Sequence, residues 1–523
     1  MSQKNKNAAV RDNRRYKYGG ISILFTVVFI AFILVVNVFL SSLSLSGSLT
    51  VDLTKEDFTS IGDETLRLLD ELGKDLDITV TFMSPRDRFY DTPGEEYNGL
   101  KLEVVIRDLA EAYQKIYDGS GERGTVRIEY KELDTDPEFE KKILEETATP
   151  LTANSVIVEG EYHKRVLDLS SFLMVNENDE YYAFNGEYRL TTAILQSSIK
   201  EQQVVTFTYG NGEPITENGE ISTSSPLLGL IYEFSSAGFS IETVNLDMEE
   251  IDPNTEILIT YDPVNDLSLT EVDKISEFLK ARNAYMVFVD SQTTEHKNLQ
   301  SMLSDNWGID YNPLYRITDD THSLEKSAST INAKFAAISE DAQNSSAAYQ
   351  IRKTVSSVEG SFTVAFPESV ELVVRNNNTQ DGFTVETVLS TYDTAKATKK
   401  GNDGTEVEGT KGEMPLMLLS TKYGYGENNA TEYSYVMLVG STEFADTANI
   451  FQSTYGNRRI VLSAARVFSA NRIVPDIDYK EFQETALEIE NGTAKTLTYL
   501  ICTIFPGAII IMGIVVFFRR RHL

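Results

Sequence analysis

The sequence predicts an α/β protein held between two apolar segments, and three observations carry that expectation. Short runs of β-branched and aromatic residues alternate with helix-like stretches through most of the chain, the pattern of strands and their covering helices. The strand-like runs of the later half are continuously apolar, as strands buried on both faces are. Finally, charge-free stretches lie near both ends: Tyr18 to Val51 and Thr496 to Phe518 contain no Lys, Arg, Asp or Glu.

Taken in order, residues 1–19 read as a cytoplasmic tail and 20–42 as a transmembrane helix. A helix rises about 1.5 Å per residue, so roughly 20 residues cross a hydrocarbon core of about 30 Å. Arg11, Arg14, Arg15 and Lys17 precede this segment. A second span is expected at 496–518, closed by the tail 519–523 with Arg519, Arg520 and Arg521. Basic flanks stay inside, so both termini are expected in the cytoplasm of a bacterial cell membrane, with the bulk outside. A cleaved secretory signal is the competing reading for the first segment, since Ser44-Leu45-Ser46-Gly47 follows it. Its apolar core is longer than a signal's, and it lacks an Ala-x-Ala site.

Between the anchors the spacing predicts two extracytoplasmic α/β domains, at 50–198 and 200–480. The first contains a helix over Ile61–Leu72, a strand at Ile78–Phe82, a helix over Leu100–Ile116 and a strand at Thr125–Tyr130. A hairpin at Asn154–Glu159 and His163–Leu169 follows, then a helix over Arg189–Ser198. The second opens with strand Val204–Tyr209, helix Pro226–Ser236 and strand Ile241–Leu246. Strand Glu256–Thr260, helix Thr270–Lys280 and strand Ala284–Asp290 follow, a series expected to build a flavodoxin-like, mostly parallel sheet. The signal weakens in a loop-rich insertion at about 320–430, where 396–413 reads as an exposed loop. Strand Tyr435–Val439 and helix Arg459–Val467 restore it.

Composition narrows the function. With 47 basic and 79 acidic side chains the net charge is −32, and the balance is more negative still between the basic ends. Such a surface repels nucleic acid, which is excluded as a partner. The only cysteine, Cys502, lies in the second apolar segment. No disulfide or thiol nucleophile is therefore available outside, which favours a bacterial or archaeal source. The triplets Asn377-Asn378-Thr379, Asn429-Ala430-Thr431 and Asn491-Gly492-Thr493 fit the glycosylation pattern, a match that arises often by chance.

The chemical inventory is thin. The sequence has no P-loop, no Gly-x-Ser-x-Gly elbow and no zinc spacing among His163, His296 and His322. No metal, cofactor or catalytic residue is expected. Asp134 with Asp136, and Glu249 with Glu250, are pairs that so acidic a chain produces by chance. His296 reads as a surface residue and Trp307 as a core one. Ligands of parallel sheets sit beyond the strands' carboxyl ends, and here those ends supply Gly210, Asn211, Gly212, Glu213, Asp262 and Asp290. These are the candidate ligand-binding residues, the glycines leaving backbone amides free to turn toward a ligand. A plain strand-to-helix turn explains the same four residues.

The order of several blocks resembles the Gld-type auxiliary proteins of ABC transport systems, known from gliding-motility machinery. Val51-Asp52-Leu53-Thr54 with Ser60 to Leu66 is similar to the family's block after the membrane anchor. Asn154 to Glu159, Gly186 to Ile194, Asn245 to Glu271 and Gly440 to Phe444 with Gly456-Asn457 resemble later blocks. Relatives tend to carry Gly-His-Gly-Glu where this chain has Gly210-Asn211-Gly212-Glu213. The middle sheet also resembles class I glutamine amidotransferases, whose cysteine nucleophile is missing here. The resemblance implies a non-enzymatic accessory subunit working beside an ABC permease and a P-loop ATPase, in assembly or in handling a substrate or cell-envelope ligand. The alternatives are an envelope hydrolase using the strand-end carboxylates, or a ligand-binding membrane sensor. The tails are too short to hold an output domain, which counts against the sensor.

Overall fold

The first lobe starts where the sequence's 3.6-residue period does. Helix α1 (Asp63–Asp70) buries Leu68 and Leu69 in the core that strand β1 (Asp77–Phe82) also enters. Helix α2 (Leu102–Ile116) and strand β2 (Thr125–Tyr130) follow. Next come helix α3 (Pro137–Thr147), the antiparallel strands β3 (Ser155–Glu159) and β4 (Lys164–Asp168), and helix α4 (Gly186–Ser198). The four strands make one sheet in the order β2-β1-β3-β4, with β1 and β2 parallel and β4 at the edge. Ile106, Leu109 and Tyr113 of α2 and Leu190 and Ile194 of α4 close the core on one face.

This computed structural model describes residues 58–482 except 87–95, 98–99, 134, 148, 176–180, 201, 292–294, 341–342, 344, 356–362, 377–381, 401–404, 426–430, 453 and 470–474. Both apolar segments, both tails, Val51–Thr54, Asp134, Cys502 and the three Asn triplets lie wholly or partly outside the described residues. Among those described, no helix is long and apolar enough to cross a membrane.

The second lobe is built on an eight-stranded sheet. Its strands are β5 (Val204–Thr208), β6 (Ser240–Val244), β7 (Thr255–Tyr261), β8 (Ala284–Phe288), β9 (Lys334–Phe335), β10 (Phe383–Ser390), β11 (Pro415–Tyr425) and β12 (Thr431–Val439). The order is β6-β5-β7-β8-β12-β11-β10-β9, parallel from β6 to β12 and antiparallel beyond. Alternation along the strands sends side chains to two separate cores. Ile257, Ile259, Tyr261, Met286 and Phe288 face helix α5 (Leu228–Ala237), whose Leu230 and Phe234 meet them. Leu258, Tyr285 and Val287 face helix α6 (Leu269–Lys280), whose Ile275, Phe278 and Leu279 do the same. Each fully buried Phe or Leu contributes about 1.5–3 kcal/mol, and a sheet covered on both sides collects that gain twice. Ser268 starts α6 with a capping box, its hydroxyl accepting from the Glu271 amide while the Glu271 side chain returns to the Ser268 amide.

Helices α7 (Ala347–Val355) and α8 (Asn457–Phe468) complete the α5 side. The region read as loop-rich holds much of the antiparallel structure. Val370–Val374, Ile309–Thr318, Lys396–Lys400 and Glu406–Lys411 form a further sheet in that order. The stretch 396–413, expected as an exposed loop, is thus largely a hairpin. Its second strand is exposed at every residue, so the sequence carries no apolar alternation to betray it.

All described residues fall in one compact unit. Within the second lobe Arg458 of α8 donates to Glu233 of α5 at 2.6 Å, and the same guanidinium meets the first lobe at Met174, 3.6 Å away. The chain finally returns to where it began. Lys480 and Glu481 pair with Phe184 and Ala183, Lys480 Nζ donates to the Ser60 carbonyl at 3.0 Å, and the Phe58 and Phe482 rings stand 5.9 Å apart.

Candidate functional site

The expected strand-end residues do gather along one ridge, because β5, β7 and β8 are neighbours running the same way. Their side chains, however, turn inward. Glu213 is only 5% exposed, and its carboxylate accepts from the Asn211 amide at 2.7 Å and the Thr208 hydroxyl at 3.2 Å. Burial raises its carboxyl above the usual range, against the pull of those donors. The Asn211 side chain donates to Glu271 at 2.7 Å, and the Asn211 backbone carbonyl accepts from the Val264 and Asn265 amides at 2.9 and 2.8 Å. Gly210 (φ +120°) and Gly212 (φ +93°) sit where L side chains are strained, and a Cβ on Gly212 would come within 2.7 Å of Val264. The glycines let two loops pack together.

Asp262 and Asp290 end adjacent strands. Asp262 adopts φ +51°, and burial first, then the Asp290 charge, raises its carboxyl, with His296 opposing. Asp290 accepts from the Ser291 amide at 2.5 Å. Glu443 and Asp446 stand nearby, each also raised, chiefly by burial. Asp446 accepts from the Asn449 amide at 2.8 Å and so caps the short helix Thr447–Phe451. Among the described residues no three His, Cys, Asp or Glu stand in metal-binding geometry.

His296, expected at the surface, is 2% exposed, its Nδ1 pairing with the Tyr311 hydroxyl at 2.9 Å. Trp307 is buried as expected, with Lys422 Nζ 4.3 Å above its ring. Glu250 is an exposed partner of Lys274, at 3.0 Å.

At the root of the molecule, Glu187 accepts from the Gly62 amide at 2.6 Å and the Thr65 hydroxyl at 2.7 Å, with Lys480 Nζ 3.8 Å away. Thr191 pairs with Thr65 and, at 2.6 Å, with Tyr113. Three distant parts of the sequence are thereby tied at one place, near both ends of the described chain.

A sizeable hollow lies elsewhere, between the lobes, where sequence reasoning placed nothing. A cleft of about 720 Å³ opens between α3, the β4 edge strand, α4 and the end of α5. Arg165 of β4 and Arg189 of α4 line it, together with Thr192, Gln196, Gln202 and Ser235. The Nε atoms of both arginines and the Thr192 hydroxyl are buried without a hydrogen-bond partner. Burial alone lowers the Arg165 guanidinium below its ordinary range. Arg189 lies 5.9 Å over the Tyr232 ring and within the field of Glu233, whose carboxylate is already engaged by Arg458.

No family model matches the chain, and no curated protein does. Among solved structures, a chain described as the mmIFT52 N-terminal domain is 14% identical with a TM-score of 0.35, covering 52% of this chain and 99% of that one. The exo-beta-1,4-mannosidase Op5Man5 from Opitutaceae bacterium strain TAV5 is 11% identical with a TM-score of 0.24, covering 73% of this chain and 50% of that one. Likenesses this slight carry no functional argument.

Proposed function

We propose that the chain is a membrane-anchored accessory subunit of an ABC-type transport system, of the Gld-type family its sequence resembles. In this reading, residues 58–482 stand outside the cell membrane and act in assembly or substrate handling, without catalysis of their own. The observation that supports it is the meeting of Phe58 with Phe482, 5.9 Å apart. The two ends of the described chain, Phe58 and Phe482, thus lie side by side, the arrangement expected of a body carried by two anchors in one bilayer. The Lys and Arg residues flanking the two segments favour the same orientation.

Two measurements test this. Protease added to intact spheroplasts is expected to digest the body and spare short tags at both termini; a protected body or a lost tag refutes the topology. A P-loop ATPase and a permease are expected to co-purify with the full chain in mild detergent. Migration alone under every detergent condition removes the transporter assignment.

A further inference from the structure

We propose that the cleft between the lobes binds a small hydrophilic organic anion, held through its carboxylate or phosphate group by Arg165 and Arg189. The inference does not depend on the transporter reading. Volume comes first: about 720 Å³ lies within the usual range of small-molecule sites, roughly 300–1,000 Å³.

Unmade bonds come second. Buried donors are nearly always paired, yet three residues lining this one cleft each carry a buried side-chain atom without a hydrogen-bond partner: Nε of Arg165, Nε of Arg189 and Oγ1 of Thr192. A guanidinium presents its donors in a planar fork that matches a carboxylate or phosphate. The wall thus offers the groups such an anion needs.

Charge comes third. Acids outnumber bases 79 to 47 in this chain, so a cation finds a carboxylate easily. Lys164, next to Arg165 in sequence, has two, Glu146 at 3.0 Å and Glu159 at 2.9 Å, and Arg458 has Glu233. Among the described residues, neither Arg165 nor Arg189 has a carboxylate within ion-pair distance. In so acidic a molecule, two cleft-lining guanidiniums without a counter-ion within the chain mark a place for an outside anion.

Elsewhere the wall is polar and charged. Glu146 and Glu159 are neutralised there by Lys164, Glu161 also lines it, and Gln196, Gln202 and Ser235 offer amide and hydroxyl groups to a ligand's body. Arg165, Gln196 and Gln202 also line a small adjoining cavity of about 20 Å³, room enough for a bridging water. Because the walls come from both lobes, a bound ligand would contact each of them.

The test uses the full purified chain, with calorimetric titration and thermal melts. The probes are glycerol 3-phosphate, gluconate, inorganic phosphate and uncharged glycerol. At least one organic anion should bind saturably and raise the melting midpoint, while glycerol does neither. Binding of glycerol 3-phosphate alone assigns a phosphate site, of gluconate alone a carboxylate site, and of both a shared one. Arg165→Gln and Arg189→Gln should each weaken binding by about tenfold or more, and Arg165→Lys should too, since an ammonium cannot form the fork. Exposed Arg67→Gln should leave affinity unchanged. Without ligand, Arg165→Gln should melt at or above the wild-type midpoint, because it removes a half-buried cation that has no counter-ion; a purely structural arginine would lower it. Should Arg165→Gln fail to fold, Arg165→Lys and Arg189→Gln decide the matter. The proposal falls if no organic anion binds better than glycerol at about 10 mM. It falls equally if only inorganic phosphate binds, or if anion binding survives in both arginine variants.

Discussion

The strand-end ridge and the inter-lobe cleft invite direct comparison, because both are polar places in the same molecule. At the ridge, carboxylates have found donors within the chain. Glu213 is satisfied by Asn211 and Thr208, Glu271 by Asn211 and the Ser268 amide, and Asp446 by Asn449. In the cleft, two guanidiniums keep Nε donors that the chain leaves unused. The difference teaches that a concentration of polar side chains at the favoured end of a sheet can be wholly structural. A functional reading gains more from bonds left unmade than from residues brought together.

The sharpest way to press that comparison is to unmake a bond where the lobes join. Replacing Arg458 by Met leaves Glu233 buried and unpaired, and should cost about 3–5 kcal/mol in urea unfolding. Adding Glu233→Leu should recover most of that loss, since the penalty belongs to the orphaned charge. If Arg458→Met alone proves harmless, the seam tolerates unpaired charge, and bare arginines there lose their meaning.

A smaller effect is expected on the ridge. Gly212→Ala puts a side chain at φ +93° against Val264, and should destabilise by about 1–2 kcal/mol. Thermal melts measure it, and a neutral result would mean that the loop can swing away and is not fixed by its packing.

The smallest effect has the opposite sign. The folded Asp262 carboxyl is raised, so the native state holds that proton more tightly than the unfolded chain does. Its contribution is therefore most favourable at acid pH. It declines as pH rises from the ordinary carboxyl pKa through the raised one. Asn tolerates the same left-handed backbone, so Asp262→Asn should lift the melting midpoint at pH 7 and flatten its fall between acid and neutral pH. A midpoint below wild type at pH 7 would show Asp262 to be a needed acceptor.

Much of this architecture is legible in the sequence where one physical signal dominates. Strands β5, β7 and β8 are read from unbroken apolar runs because both of their faces are buried, and Ser268 with Glu271 spells out a helix start. The hairpin around 396–411 is invisible because Glu406 to Lys411 face solvent throughout. His296 is misread because its partner, Tyr311, sits 15 residues away and becomes a neighbour only on folding. The six ridge residues are found by topology alone, which places them correctly and says nothing of whether they are already engaged. Arg165 is the hardest to find, since nothing in Lys-Arg-Val-Leu-Asp distinguishes a paired cation from a bare one. Being unpaired is a property of the whole fold.

The two-residue ladder that lays Lys480 and Glu481 on Phe184 and Ala183 makes the body circular in space. A short glycine and serine bridge sewn from residue 482 to residue 58 would close it into a ring. Fresh termini could then be cut at the exposed turn holding Gly121, around which a Cβ would meet nothing within 4 Å. Such a permuted chain would carry both lobes and their seam on residues 58–482 alone.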